Sequence, residues 1–229
     1  MRQPARVFLL SPANLGGTRA KQILSPKAQF ALAVALRSRS GAALGDVFAF
    51  VSGLYFRGKL MYATRFAAPP ETGNAIVGCG VHVITPNAGL RSHDTFVTHK
   101  AVRAFAAGDV HQDNAGYRRP LEKSARALLS EIGPECDVVL LGSIASPKYV
   151  DILTAIFGER LLFPSDFVGR GDMSRGGLLL RQARDGVELP YVPVLGAVRH
   201  GSRPPKLPPL VYARAKPLDN AQIKWADRS

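Results

Sequence analysis

"DVVLLGS", residues 137–143, sets four large apolar side chains in a row between an aspartate and a Gly-Ser pair. A half-exposed strand would alternate apolar with polar residues, so an unbroken run of this length reads as a strand buried on both faces. "PKYVDILTAIFG" follows at 147–158 with helical composition and a closing glycine. A buried strand that hands over to a helix is the repeating unit of a parallel sheet.

The alternation extends in both directions. Downstream, "RLLFPS" (160–165) reads as a short strand, and "SRGGLLLRQARDG" (174–186) as a helix closed by glycine. "LPYVPVLG" (189–196) has the prolines of an edge strand. Upstream, "RRPLEKSARALLSEIG" (118–133) has proline early and glycine just after, the expected helix asymmetry. "GVHVITPNAGL" (80–90) reads as a strand and turn, and "ARVFLLS" (5–11) as a buried strand running into "SPANLGG". "TRAKQILSPKAQFALAVALRSRS" (18–40) is helical in composition, with Pro26 marking a start or kink. "GDVFAFVSGLYFRGKLMYATRFA" (45–67) fits either one helix from Val47 to Phe66 or a strand followed by a helix. The expected fold class is α/β: a three-layer α/β/α sandwich with a mostly parallel central sheet. Residues 1–195 make one domain. Residues 196–229, with five prolines and seven basic against two acidic side chains, make a basic, proline-rich C-terminal arm.

In open α/β sheets ligands bind beyond the carboxyl ends of the strands. Four strand ends carry polar loops containing glycine or proline: Ser11–Gly17, Thr85–Gly89, Gly142–Lys148 and Pro164–Arg175. The last holds Asp166, Arg170, Asp172 and Arg175 among glycines. Its arginines suit phosphates and its acids suit a base or a cationic sugar. The plainer alternative is a strand-to-helix turn in which Asp172 or Ser174 caps the next helix. Tyr55 and Phe56, followed by Arg57 and Lys59, suit either a stacked base flanked by cations or an ordinary core stripe. Ser143 and Lys148 could meet a phosphate at the end of 137–143.

Thirty Lys and Arg against seventeen Asp and Glu leave a formal charge of +13, and the first 45 residues carry seven basic and no acidic side chains. Such an excess favours a polyanion such as DNA or RNA, or an anionic membrane surface. Two distant cysteines without a CxxC pair argue against a cysteine-built zinc site and exclude a disulfide scaffold. The five histidines lack metal-binding spacing, and neither a P-loop nor a GxSxG elbow is present. No apolar span suits a membrane, so a cytoplasmic protein is expected; the sequence leaves the oligomeric state open, with a monomer plausible.

In this order the loops resemble the uracil-DNA glycosylase superfamily, particularly its mismatch-specific branch. "LLSPANL" (9–15) stands where that family positions water, and "GLYFRGKLMYATRF" (53–66) is similar to its aromatic-led helix. "GVHVITPNAGL" looks like its base-reading strand end, "VVLLGSIA" (138–145) like its apolar strand ending in glycine, and "LLFPSDF" (161–167) occupies the place of its final loop. The likeness spans roughly residues 5 to 185. The family's catalytic Asn or Asp falls on Ser11, with Asn14 three residues on, and the histidine of its final loop falls on Phe163. These departures suit a base other than uracil, such as a bulky modified one. The resemblance implies hydrolysis of the N-glycosidic bond of a flipped base in DNA, duplex or single-stranded, in repair or anti-phage defence. It needs no metal or other cofactor. Asn14 would position water, with Asp172 as alternative base and Ser11 in support. Tyr55 or Phe56 would stack on the base and Asn87 would read its edge. Ser165, Arg170 and Arg175, with Ser143 and Lys148, would hold the backbone. A small-molecule nucleoside-processing enzyme and a non-catalytic nucleic-acid-binding module are the alternatives.

Overall fold

A computed structural model of the chain describes residues 4–145 and 147–207. Its centre is a six-stranded sheet built from β1 (Arg6–Leu10), β3 (Val81–Thr85), β4 (Gly89–Ser92), β6 (Asp137–Leu141), β7 (Leu161–Pro164) and β8 (Tyr191–Pro193). The order across it is β4-β3-β1-β6-β7-β8. The four inner strands are parallel, while β4 and β8 run antiparallel at the edges. β1 and β3 are buried along their whole length, and β6 is buried beyond Asp137. That is why these strands are mostly apolar, and why even His82 and Thr85 of β3 are buried: each strand is covered on both faces. β1 and β6 lie in register from Arg6↔Asp137 to Leu10↔Leu141.

The helices are α1 (Thr18–Ile23), α2 (Ala31–Arg37), α3 (Leu44–Ser52), α4 (Leu54–Phe66), α5 (His99–Ala106), α6 (Ala115–Glu131), α7 (Pro147–Phe157) and α8 (Asp172–Asp185). A two-residue strand, β2 (Ala42–Ala43), pairs antiparallel with β5 (Phe96–Val97) beside the main sheet. α4 packs on β1 and α8, whereas α6 packs on β3, β4 and α7. The chain steps from β1 outward to β3, then back across β1 to β6 and β7. Because such crossovers are right-handed, reversing direction puts α6 and α7 on the face opposite α4, while α8 returns to pack on α4. The result is the three-layer α/β/α sandwich with a mostly parallel sheet that the sequence predicts. Among the described residues, no helix is long and apolar enough to cross a membrane.

Three local readings are corrected. Residues 45–67 form neither one helix nor a strand and a helix but two helices, broken where Gly53 turns at φ 66°. A side chain there would be strained in that conformation. Residues 18–40 form two short helices, α1 and α2, with Pro26 in the turn between them. α6 starts at Ala115, five residues before Pro120, because Asn114 accepts from the Gly116 N–H and caps it. The edge assignment of 189–196 holds: β8 is the outermost strand and carries Pro193. Of the C-terminal arm, Gly201 and Ser202 pack against the turn after β7, with the Ser202 carbonyl hard against Gly169, while Arg199 reaches Asp151 of α7. Residues 208–229 of the arm lie outside the described residues.

Candidate active site

The sheet changes direction between β1 and β6, and in folds of this kind the crevice opens beyond the carboxyl ends of the two strands at that point. A cavity of about 660 Å³ lies there. All four strand-end loops reach it: Ser11 and Asn14 from the first, Pro86 from the second, Ser143 and Lys148 from the third, Asp172 from the fourth. Tyr55 and Lys59 of α4 complete its wall.

The loops after β1 and β6 meet closely because residue 142 is glycine. A Cβ there would fall 2.8 Å from the Tyr149 hydroxyl and 2.9 Å from Ser11 Cβ. Ser11 is buried, and its N–H continues the sheet by donating to the Leu141 carbonyl. The Tyr149 hydroxyl donates to the Ser143 carbonyl at 3.0 Å. Burial raises the pKa of this phenol, and the neighbouring Ser11 side chain opposes the rise.

Lys59 is the unexpected residue. It is 1% exposed, yet its Nζ donates to the Ser11 carbonyl at 2.7 Å and lies 2.8 Å from Ser11 Oγ. The Tyr55 and Phe56 rings flank the amine at 4.5 and 4.9 Å from their centroids. Desolvation pushes the Lys59 pKa down to about 7, with Arg175 adding to the fall and Asp172 opposing it. An ordinary lysine is a full cation at neutral pH; this one is divided between ammonium and free amine. As an ammonium, Nζ donates to both Ser11 oxygens; as a free amine it can keep the bond to the carbonyl and accept from the Ser11 hydroxyl.

Asp172 opens α8, its side chain largely in solvent with Arg175 Nη1 at 3.6 Å. It does not cap the helix: Gly171 is the N-cap, and no side chain bonds there. Asn14 closes a tight turn by accepting from the Gly16 N–H at 2.9 Å, which fixes the orientation of its amide. Tyr55 is buried, and its hydroxyl has no hydrogen-bond partner among the described residues. Arg175 acts on that phenol electrostatically without meeting bonding geometry.

Of the residues singled out from sequence, the structure brings Ser11, Asn14, Tyr55, Ser143, Lys148 and Asp172 together. It does not bring the other five. Phe56 points into the core, edge-on to Phe48 at 5.4 Å, so the reading of a stacking surface is corrected for this ring. Truncating Phe56 to alanine should cost about 3–5 kcal/mol in chemical denaturation, the usual range for a buried aromatic. Asn87 donates to the Ala104 carbonyl at 2.8 Å and ties the β3–β4 turn to α5. Ser165 faces the Pro190 carbonyl and a separate hollow beside β8. Arg170 folds back on the Asp166 carbonyl and Ser174. Arg175, with only 11% of its side chain exposed, makes two bonds to the Phe167 carbonyl and lies over the Phe167 ring. The glycines of this loop also serve packing, since Gly176 touches the backbone of α4 at Tyr55.

Lys59 had a signal in the sequence. Residues 55, 59, 62 and 63 share one helical face, and all four are buried. A lysine on an otherwise apolar stripe is a buried cation in need of a reason. Among the described residues, no three His, Cys, Asp or Glu side chains gather where they could hold a metal ion. Comparison with family models, curated proteins and solved structures gives no match to this chain.

Proposed function

We propose that the cavity hydrolyses the N-glycosidic bond of a modified or damaged base extruded from DNA. The hydrogen-bonded pair of Lys59 and Ser11, buried at a cavity that also holds a carboxylate, carries this reading. The neutral Lys59 amine draws the Ser11 proton, and Ser11 in turn takes one from a water held by the Asn14 amide. That water attacks the anomeric carbon as the base departs, and Asp172 offers negative charge to the developing sugar cation. Lys148 on the wall and the net charge of +13 favour a phosphate-bearing substrate. The order of loops, which resembles that of uracil-DNA glycosylases, is in keeping with the same reaction class. The Ser11–Lys59 pair, in place of an Asn or Asp after the first strand, supports a substrate other than uracil. Removal of foreign modified DNA or repair of damage would both use this chemistry.

The test is an excision assay on labelled duplex and single-stranded DNA bearing uracil, hypoxanthine, alkylated bases and hydroxymethyl- or glucosyl-cytosine, followed by alkali. Alkali-dependent breaks at one base are expected, with binding that weakens steeply as salt rises. Full excision by both Asn14→Ala and Asp172→Ala proteins would remove the roles assigned here. Tight binding without breaks would make the chain a binding module, and turnover of free nucleosides with little salt dependence would move the reaction to small molecules.

A further inference from the structure

Ser11 has a second capability that the glycosidic reading does not use. Its Oγ lies 2.8 Å from a lysine nitrogen that has no carboxylate ion-paired to it among the described residues. A hydroxyl bonded to a desolvated amine is the arrangement of serine–lysine nucleophiles, in which the amine serves as base. Two phenols complete the surroundings. Tyr149 stands against Ser11, held by the Ser143 carbonyl. Tyr55 lines the same cavity, and its buried hydroxyl has no hydrogen-bond partner among the described residues. A buried hydroxyl that bonds to nothing is costly, and a carbonyl oxygen that reached it would gain a donor. The site therefore holds a nucleophile, its base and an idle donor suited to a developing oxyanion.

We propose that Ser11 is a covalent nucleophile with Lys59 as its base, and that the cavity hydrolyses carboxylic esters through an acyl-Ser11 intermediate. In the first half, the Ser11 Oγ–H bond breaks and its proton passes to Lys59 Nζ. Oγ bonds to the carbonyl carbon, and the Tyr55 hydroxyl donates to the carbonyl oxygen as it becomes anionic. Collapse breaks the carbon–oxygen bond to the alcohol, whose oxygen takes the proton from Lys59. In the second half, water gives a proton to Lys59, its oxygen bonds to the acyl carbon, and the Ser11 oxygen leaves and recovers that proton. Esters suit a single neutral phenol as oxyanion donor better than amides, whose leaving groups are poorer.

A fluorophosphonate probe, located by peptide mass mapping, and p-nitrophenyl acetate hydrolysis test this on the full-length protein. The expected result is one adduct, on Ser11, whose rate rises as pH climbs through about 7 and then levels. Lys59→Met should slow labelling by about 10²–10⁴-fold, the usual worth of a general base. Ser11→Ala, which keeps the carbonyl that binds Lys59, should lose the adduct while melting within a few degrees of the parent. Tyr55→Phe should slow ester turnover while leaving the adduct on Ser11. Absence of an adduct on Ser11 in the parent protein, or labelling that is unchanged in Lys59→Met, would overturn the proposal. The readouts separate it from the DNA reading: esterase activity without base excision removes only that reading, and excision without an adduct removes only this one.

Discussion

Lys59→Met should give a protein that is more stable than its parent at pH 6 and far less active. Burial holds the Lys59 pKa near 7 in the folded chain, whereas the unfolded chain has an ordinary lysine near 10.5. Below pH 7 both states carry the proton, and the folded state bears the whole cost of a buried ammonium. Between 7 and 10.5 the unfolded state binds more protons than the folded one, so stability rises with pH. Above 10.5 neither state is charged and the cost is gone. The full gap corresponds to on the order of 4–5 kcal/mol. Methionine fills similar space without charge but leaves the Ser11 carbonyl unbonded, which returns about 1–3 kcal/mol. A net gain of about 1–4 kcal/mol at pH 6 follows, shrinking to nothing or reversing by pH 10. Denaturant titrations of both proteins at the two pH values check the sign and its reversal. The same substitution removes the base and should lower turnover by about 10²–10⁴-fold. A residue that costs stability and supplies activity belongs to a site rather than to a core.

The second large effect lies where α4 crosses α8. A Cβ on Gly176 would sit 2.8 Å from Tyr55 Cα and 2.9 Å from the Leu54 carbonyl, and one on Gly58 would sit 2.6 Å from the Gly176 carbonyl. These are backbone atoms, so neither helix yields without moving the other. Gly176→Ala should cost about 2–3 kcal/mol as an overpacked contact, even after the roughly 1 kcal/mol that alanine gains in a helix. For a chain of this size that lowers the melting temperature by on the order of 5–10 °C. It should also impair activity, since the displaced segment carries Tyr55 and, one turn on, Lys59. Gly177 is the control. A Cβ there meets only Leu207 Cδ1 at 3.8 Å, so Gly177→Ala should stabilise by about 0.5–1 kcal/mol. Opposite signs at adjacent glycines would separate close approach from helix propensity.

The strands of the parallel sheet were legible because burial on both faces leaves an unbroken apolar signature, clearest at Val138–Leu141. The meeting of four loops was legible because their strands share direction, so their carboxyl ends gather at one edge. What the sequence hid was decided by phase and distance. Tyr55 and Phe56 are neighbours, yet a rotation of about 100° per residue along a helix sends one ring to the cavity and the other to the core. Arg170 and Arg175 read as phosphate ligands until the Asp166 and Phe167 carbonyls, set free by the turn after β7, claim them. Lys59 read as one of the cations flanking a stacked base because its partner, Ser11, lies 48 residues away. Only the fold brings the two together.

The most direct test of the Lys59–Ser11 centre is a titration of the Lys59 side chain by NMR, with Lys59→Met used to assign the signal. An amine titrating near pH 7, in a protein whose turnover rises over the same interval, is the expected result. A Lys59 that titrates above about 9.5, as an exposed lysine does, would contradict the account, because the cavity would then hold a permanent cation and no base.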